Sequence, residues 1–107
     1  MAIDLDVGTT ALPTIRALAD PIRWRIVELL GREQLCVCHL TEELDAPQPL
    51  VSHHLRVLRD AGVVEGERWR YWTYYRLRPD GLAALSGTLG ELARGAPEAD
   101  AARRPCC

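Results

Sequence analysis

The stretch between residues 38 and 62 restricts the fold of this chain more than any other, because it contains two helical patterns separated by a tight turn. The first pattern covers about residues 38–44, and the second covers about residues 48–61, where Gly62 ends it. The turn between them is Asp45-Ala46-Pro47, which favours a break in the helix. The sequence therefore predicts a helix, a short turn and a second helix.

The second of these helices has two chemically different faces. Val51, Leu55 and Leu58 recur at positions i, i+4 and i+7, so they share one face and predict contact with a core. The opposite face is polar and contains Gln48, Ser52, Arg56 and Arg59. One side of this helix is therefore predicted to pack inward while the other side meets a polar partner.

A β-hairpin is predicted after Gly62. Val63-Val64 and the run Tyr71-Trp72-Thr73-Tyr74-Tyr75 are rich in β-branched and aromatic residues, and a polar segment separates them. The aromatic residues of this hairpin, Trp69 among them, are interpreted as hairpin packing rather than as stacking platforms for nucleic acid.

The remaining pattern is helical. A short helix is expected over residues 13–19, and Asp20-Pro21 predicts the capped start of a second helix that Gly31 ends. Pro79 begins a last amphipathic helix marked by leucines at 82, 85, 89 and 92. The predicted fold class is mostly α with a small β-hairpin, in the order ααααββα.

One domain is expected, since 107 residues is the size of a single ordinary domain. We assign it to residues 11–94, with a flexible N-terminus over 1–10 and a flexible, cysteine-ended tail over 95–107. At this size folding hides only about two-thirds of the surface of the chain, which favours a homodimer. The first residues contain neither a signal peptide nor a membrane helix, so a cytoplasmic protein without a membrane partner is expected.

Charge is unevenly distributed. The net charge is −2, yet the stretch from residue 49 to residue 78 contains arginines at 56, 59, 68, 70, 76 and 78 against acids at 60, 65 and 67. A polar-faced helix after a tight turn, followed by a basic hairpin, suits the major groove of double-stranded DNA and the phosphates beside it. The sequence predicts a DNA-binding protein rather than an enzyme.

Three motifs resemble the ArsR/SmtB family of metal-responsive repressors. They are Ala19-Asp20-Pro21-Ile22-Arg23, Gln48-Pro49-Leu50-Val51-Ser52-His53-His54-Leu55, and Tyr74-Tyr75-Arg76-Leu77. The resemblance implies a winged helix-turn-helix that binds operator DNA as a dimer formed through the first and last helices. It also implies DNA contacts from the recognition helix and from a basic wing, made by Gln48, Pro49, Ser52, His53, His54, Arg56, Arg68 and Arg70. For His54 two interpretations stay open, a phosphate contact and a half-buried histidine that orders the helix.

Two of the four cysteines form a second motif, Cys36-Val37-Cys38, at the predicted start of the first helix of the pair. In a reducing compartment free thiols or metal ligands are expected rather than disulfides. Thiolates select soft ions. The motif resembles the arsenic-sensing branch of the family, which implies As(III) or Sb(III) as the inducer bound by these cysteines.

The sequence departs from that branch at its third cysteine, since Thr41 occupies the position. Cys106 or Cys107, on a tail of about ten residues, can reach the site from the same or the partner subunit and supply a third sulfur. The alternatives are a site of two thiolates only, or tail cysteines that merely oxidise. His39 is either a nitrogen ligand suited to zinc or cadmium or a solvated histidine.

The predicted function is a metalloid-responsive transcriptional repressor. Within the same fold, a repressor that responds to cadmium, zinc, lead or thiol oxidation is the alternative. A thiol enzyme is disfavoured, because no Cys-x-x-Cys lies on a strand-to-helix turn. A zinc sensor built on the last helix is also disfavoured, because residues 82–92 contain no histidine.

Overall fold

The structure is a computed structural model that describes residues 11–98. Within this range five helices and three strands follow in the order α1 Leu12–Leu18, α2 Pro21–Leu30, β1 Leu35–Cys36, α3 Val37–Leu44, α4 Gln48–Asp60, β2 Val64–Trp69, β3 Trp72–Leu77 and α5 Pro79–Gly95. All five helices and the hairpin were predicted, with ends that coincide or differ by up to about three residues. The N-terminus over 1–10 and most of the tail over 95–107, both expected to be flexible, lie outside the described residues.

The start of α2 confirms the predicted cap. The Asp20 carboxylate accepts hydrogen bonds from the backbone N–H groups of Ile22 at 2.8 Å and Arg23 at 3.1 Å. These two donors belong to the first turn, where a helix has no internal acceptor for them. Pro21 occupies the first helical position, which needs no N–H.

The turn between α3 and α4 is made by a residue in the left-handed region. Asp45 has φ 49°, and the backbone N–H of Ala46 returns to the carbonyl of Thr41. Pro47 then takes an extended conformation as the N-cap of α4, without a side-chain capping bond. This geometry sets α4 across α3 and turns Val51, Leu55 and Leu58 into the core.

The sheet has three antiparallel strands in the order β1-β3-β2. The hairpin register pairs Val64 with Leu77 at the base and Trp69 with Trp72 at the tip, leaving a two-residue turn at Arg70-Tyr71. Arg70 adopts φ 58°, a conformation that favours glycine. β1 was not predicted, because a strand of two residues is too short to show alternation.

The hydrophobic core lies between α2, α3, α4 and the base of the sheet, where Ile26, Leu40, Leu55 and Leu58 are fully buried. In contrast, α5 contains no buried residue and contacts α1. At the start of α5 only glycine fits at position 81, since a Cβ there would overlap the Gly62 carbonyl. Among residues 11–98 no helix combines the length and the apolar character that crossing a membrane requires.

Candidate nucleic-acid interface and thiol site

The outer face of α4 is open to solvent. Gln48, Pro49, His53 and Arg56 are exposed, and Ser52 is partly exposed. The predicted recognition residues other than His54 therefore lie on the surface of one helix. A helix presented in this way can enter the major groove with its side chains at the base edges.

The arginines between α4 and α5 divide into two groups. Arg76 and Arg78 bind Glu65, Arg78 also binds Asp80, and Arg59 lies 3.7 Å from Asp60. Within the described residues the other three, Arg56, Arg68 and Arg70, form no salt bridge. These unpaired cations are the three arginines that the sequence predicts to contact DNA, and they lie on α4 and the wing.

The wing is the hairpin of β2 and β3, and its tip is more exposed than hairpin packing predicts. Trp69 is 57% exposed, Tyr71 85% and Trp72 46%. Trp69 and Trp72 face each other across the last pair of the hairpin, and the Arg70 guanidinium lies 4.9 Å from the centre of the Trp69 ring. Tyr75, nearer the base, packs against the core. The tip therefore presents aromatic rings and two arginines to solvent.

His54 differs from its neighbours on α4, because it is only 7% exposed. Its Nδ1 atom lies 3.0 Å from Nη1 of Arg23, on α2. Burial is the main cause that lowers the pKa of His54 below its ordinary value of 6.5, and the Asp20 carboxylate opposes this shift. This placement favours the interpretation of a histidine that orders the helix.

The thiol site lies where β1 meets α3. Cys36 is the last residue of β1 and the N-cap of α3, and its side chain is 5% exposed, whereas Cys38 in the first turn is exposed. Neither forms a disulfide. The His39 Nδ1 atom lies 3.3 Å from both the backbone nitrogen and the Sγ atom of Cys36. The two sulfurs and this ring nitrogen are the soft donors at the start of α3.

Three-coordinate binding is incomplete in the part of the chain that the structure describes, where no three or more metal-binding side chains are grouped around a common point. The Thr41 hydroxyl donates to the Cys38 carbonyl at 2.7 Å, which places Thr41 one turn after Cys38 on the same side of α3. Cys106 and Cys107 lie outside the described residues. The described residues therefore offer As(III) two sulfurs, those of Cys36 and Cys38, and a third donor is still required.

The role of Arg23 was not predicted from the sequence. In the sequence this residue stands out only as part of a family motif, yet in the structure it bridges three helices. The available signal was an arginine three residues after the capping Asp20, next to a helix start, together with a histidine in an otherwise apolar position of α4.

Comparison with known proteins identifies the architecture. A family model described as bacterial regulatory protein, arsR family, matches residues 20–66, from the cap of α2 into β2. A crystal structure of a possible transcriptional regulator for arsenical resistance aligns with a TM-score of 0.66 and 36% identity, covering 82% of this chain and 95% of that one. The predicted winged helix-turn-helix class is confirmed.

Two curated relatives differ in the name they carry. The chain is 47% identical over 66 residues to the arsenic resistance transcriptional regulator ArsR1 of Pseudomonas putida, covering 61% of this chain and 52% of the relative. It is 51% identical over 71 residues to the HTH-type transcriptional repressor SmtB of Mycobacterium tuberculosis, covering 66% of this chain and 53% of the relative. The chain thus spans about half the length of these relatives, which are regulators of transcription and not enzymes.

Proposed function

Because the chain belongs to the ArsR family of bacterial regulatory proteins, we propose that it is a homodimeric transcriptional repressor that leaves its operator when cysteine thiolates bind As(III) or Sb(III). The observation that carries the DNA-binding part is the pairing of the arginines. Arg56, Arg68 and Arg70 lack carboxylate partners in the described structure, whereas their neighbours in the sequence have them. Phosphates are the partners that unpaired surface arginines suit.

In this proposal α4 lies in the major groove and the wing follows the backbone beside it. Gln48 and Ser52 face the base edges with Pro49 and His53 at the helix start, while the three unpaired arginines contact phosphates. His54 contributes from behind α4, since its ring is turned away from solvent.

A second copy of the chain is the proposed partner on the opposite side. Ile15 and Trp24 are half-exposed, and Leu89 and Leu92 on α5 are exposed by 53% and 67%. An apolar surface on α1, α2 and α5 is formed by Ile15, Leu18, Trp24, Leu82, Leu85 and Leu89. Burial of this surface between two copies sets two recognition helices about one DNA turn apart on a near-palindromic operator in the cytoplasm.

The inducer is proposed to bind at Cys36 and Cys38, with Cys106 or Cys107 as the third sulfur. Support comes from the position of the two thiols at the start of α3, a helix that packs directly on α4. No three metal-binding side chains of the described residues are grouped around a common point. Binding of one metalloid atom by both sulfurs therefore requires a movement of Cys36, which is buried at the end of β1, or of the first turn of α3. By linkage, a ligand that disfavours the DNA-bound arrangement is itself bound more weakly on DNA, and a coupling of about 2 to 4 kcal/mol empties most operators.

Zinc or cadmium as the inducer is the second candidate, and one observation favours it. The His39 Nδ1 atom lies 3.3 Å from Cys36 Sγ, so one nitrogen and one sulfur of the type that zinc binds are already adjacent.

Direct ligand binding separates the candidates. Arsenite, antimonite, cadmium and zinc are titrated into the reduced full chain while ultraviolet thiolate-to-metal absorption is recorded. The variants are Cys36→Ser, His39→Gln and the double change Cys106→Ser and Cys107→Ser. Loss of arsenite binding in Cys36→Ser and in the double variant supports the proposal. Tight cadmium binding by the wild type that is lost in His39→Gln supports the second candidate.

DNA binding is tested by the salt dependence of anisotropy with a labelled promoter fragment. Removal of one phosphate contact lowers the slope of log affinity against log salt by about 0.9. We expect Arg56→Gln and Arg68→Gln to lower it in this way. Arg76→Gln is the matched control, because Arg76 is already bound to Glu65, and an equal decrease there would contradict the proposal.

A further inference from the structure

The Arg23 side chain lies at a junction of three helices. Its Nε atom donates to the Ala17 carbonyl at 2.6 Å, and its Nη2 atom donates to the Arg16 carbonyl at 3.4 Å. Both carbonyls belong to the last turn of α1, where a helix has no following turn to donate to them, although the Arg16 carbonyl also accepts from the Ala19 backbone N–H at 3.3 Å. The guanidinium therefore holds the end of α1 against the start of α2.

The same guanidinium also reaches α4. Its Nη1 atom lies 3.0 Å from His54 Nδ1. A guanidinium has donors and no acceptor, so Nδ1 must accept, which requires a neutral imidazole with its hydrogen on Nε2. Among residues 11–98, no other side-chain hydrogen bond or salt bridge joins α4 to α1 or α2.

We propose that Arg23 is a positioning residue that fixes the recognition helix α4 relative to α1 through the neutral imidazole of His54. The inference rests on the proposed function, since α1 is part of the apolar surface assigned to the dimer. In that dimer α1 belongs to the interface, so the contact to α4 fixes the recognition helix relative to the interface and thereby sets the distance between the two recognition helices. DNA selects that distance, because the half-sites are one helical turn apart.

Apolar contacts alone do not set this geometry. α4 also packs on α1 and α2 through Val51, Leu55 and Leu58, which hold it on the core. Apolar attraction is non-directional, so it resists detachment more than it resists a small rotation or slide. A hydrogen bond between a planar guanidinium and a ring nitrogen has a defined direction and resists those movements.

The contact is sensitive to protonation of His54. Burial lowers the pKa of the ring, the Asp20 carboxylate raises it, and the Arg23 guanidinium and the neighbouring His53 ring lower it. The imidazole is therefore neutral at neutral pH. A proton on Nδ1 removes the acceptor and sets two positive groups face to face, which breaks the contact.

The test uses the full chain, anisotropy, and two DNA fragments, the native operator and one with a single base pair inserted between the half-sites. His54→Asn keeps an acceptor near the Nδ1 position, while His54→Leu and Arg23→Met remove one partner each. Circular dichroism checks that each variant is folded. We expect the Leu and Met variants to lose about tenfold in affinity for the native operator and to discriminate less between the fragments, and the Asn variant to resemble the wild type.

A pH series gives an independent readout. Wild-type affinity is expected to fall as the pH is lowered below 6.5, and the Asn variant is expected to lose this fall. The readout is the difference between the two proteins, because the exposed His53 is present in both and its contribution cancels. This readout stays informative if the Leu variant does not fold.

Two results overturn the inference while leaving the repressor intact. One is wild-type affinity and spacing discrimination in folded His54→Leu and Arg23→Met, and the other is an identical pH dependence in the wild type and His54→Asn. Absence of binding by the wild type itself refutes the proposed function, and this inference with it.

Discussion

Replacing Asp20 by alanine tests the link between the Asp20-Pro21 motif and the fold. The carboxylate accepts two backbone hydrogen bonds, at 2.8 Å and 3.1 Å, and alanine removes both. Loss of an N-cap costs about 1 kcal/mol, and loss of a negative charge at a helix N-terminus costs about 0.3 to 1 kcal/mol more. We therefore expect the free energy of unfolding to fall by about 1 to 2 kcal/mol.

Asp20→Asn is the matched control. Asparagine keeps the acceptor oxygen and loses only the charge, so it should cost about 0.5 kcal/mol. Urea unfolding followed by tryptophan fluorescence measures both variants, at one fixed protein concentration because a dimer gains stability with concentration. In thermal unfolding the alanine variant should melt about 5 to 10 °C lower than the wild type.

Two results would refute this reasoning. If Asp20→Ala stayed within about 0.3 kcal/mol of the wild type, the cap would not stabilise α2. If the asparagine variant lost as much stability as the alanine variant, the charge rather than the hydrogen bonds would carry the effect.

Three further predictions concern the site, the wing and pH. Thr41→Cys places a third thiol one turn from Cys38, so arsenite absorption titrations should show tighter binding that no longer depends on Cys106 and Cys107; continued dependence would contradict the geometry. Arg70→Gly relieves the strain of the positive φ but removes the contact with the Trp69 ring, so the free energy of unfolding in urea should change by less than about 1 kcal/mol. The slope of log DNA affinity against log salt should fall by about 0.9, because one phosphate contact is lost. The native pKa of His54 lies below its ordinary value of 6.5, so the unfolded chain takes up the proton first as the pH falls. The free energy of unfolding should therefore decrease as the pH drops below about 6.5, until native His54 is itself protonated. Urea unfolding at several pH values measures this, and a flat profile would contradict it.

The helical elements could be predicted because their signals are local. The Asp20 cap, the Asp45-Ala46-Pro47 turn and the spacing of Val51, Leu55 and Leu58 each depend on residues within a few positions of one another. β1 could not be predicted, because Leu35 and Cys36 become a strand only by pairing with Tyr75 and Tyr74, some forty residues later.

The site shows the same division. The polar face of α4 follows from helical spacing. The thiol site follows from the residue types of the Cys36-Val37-Cys38 motif and from its resemblance to the arsenic-sensing branch of the family. Which arginines are free does not follow, since Arg76 and Arg68 look alike in the sequence and differ only because Glu65 lies opposite Arg76 in the hairpin register. The contact of the buried His54 likewise does not follow, because its partner Arg23 lies thirty-one positions earlier.

The central claim is that thiolate ligation releases DNA, and one titration tests it most directly. Wild-type protein is bound to a labelled fragment of its own promoter, and anisotropy is followed as arsenite and then, separately, zinc is added. The proposal predicts release by arsenite at about one equivalent per subunit, little response to zinc, and no release from Cys36→Ser or Cys38→Ser protein that still binds DNA. Tight binding that arsenite leaves unchanged in the wild type, or release that persists in both cysteine variants, would contradict the claim.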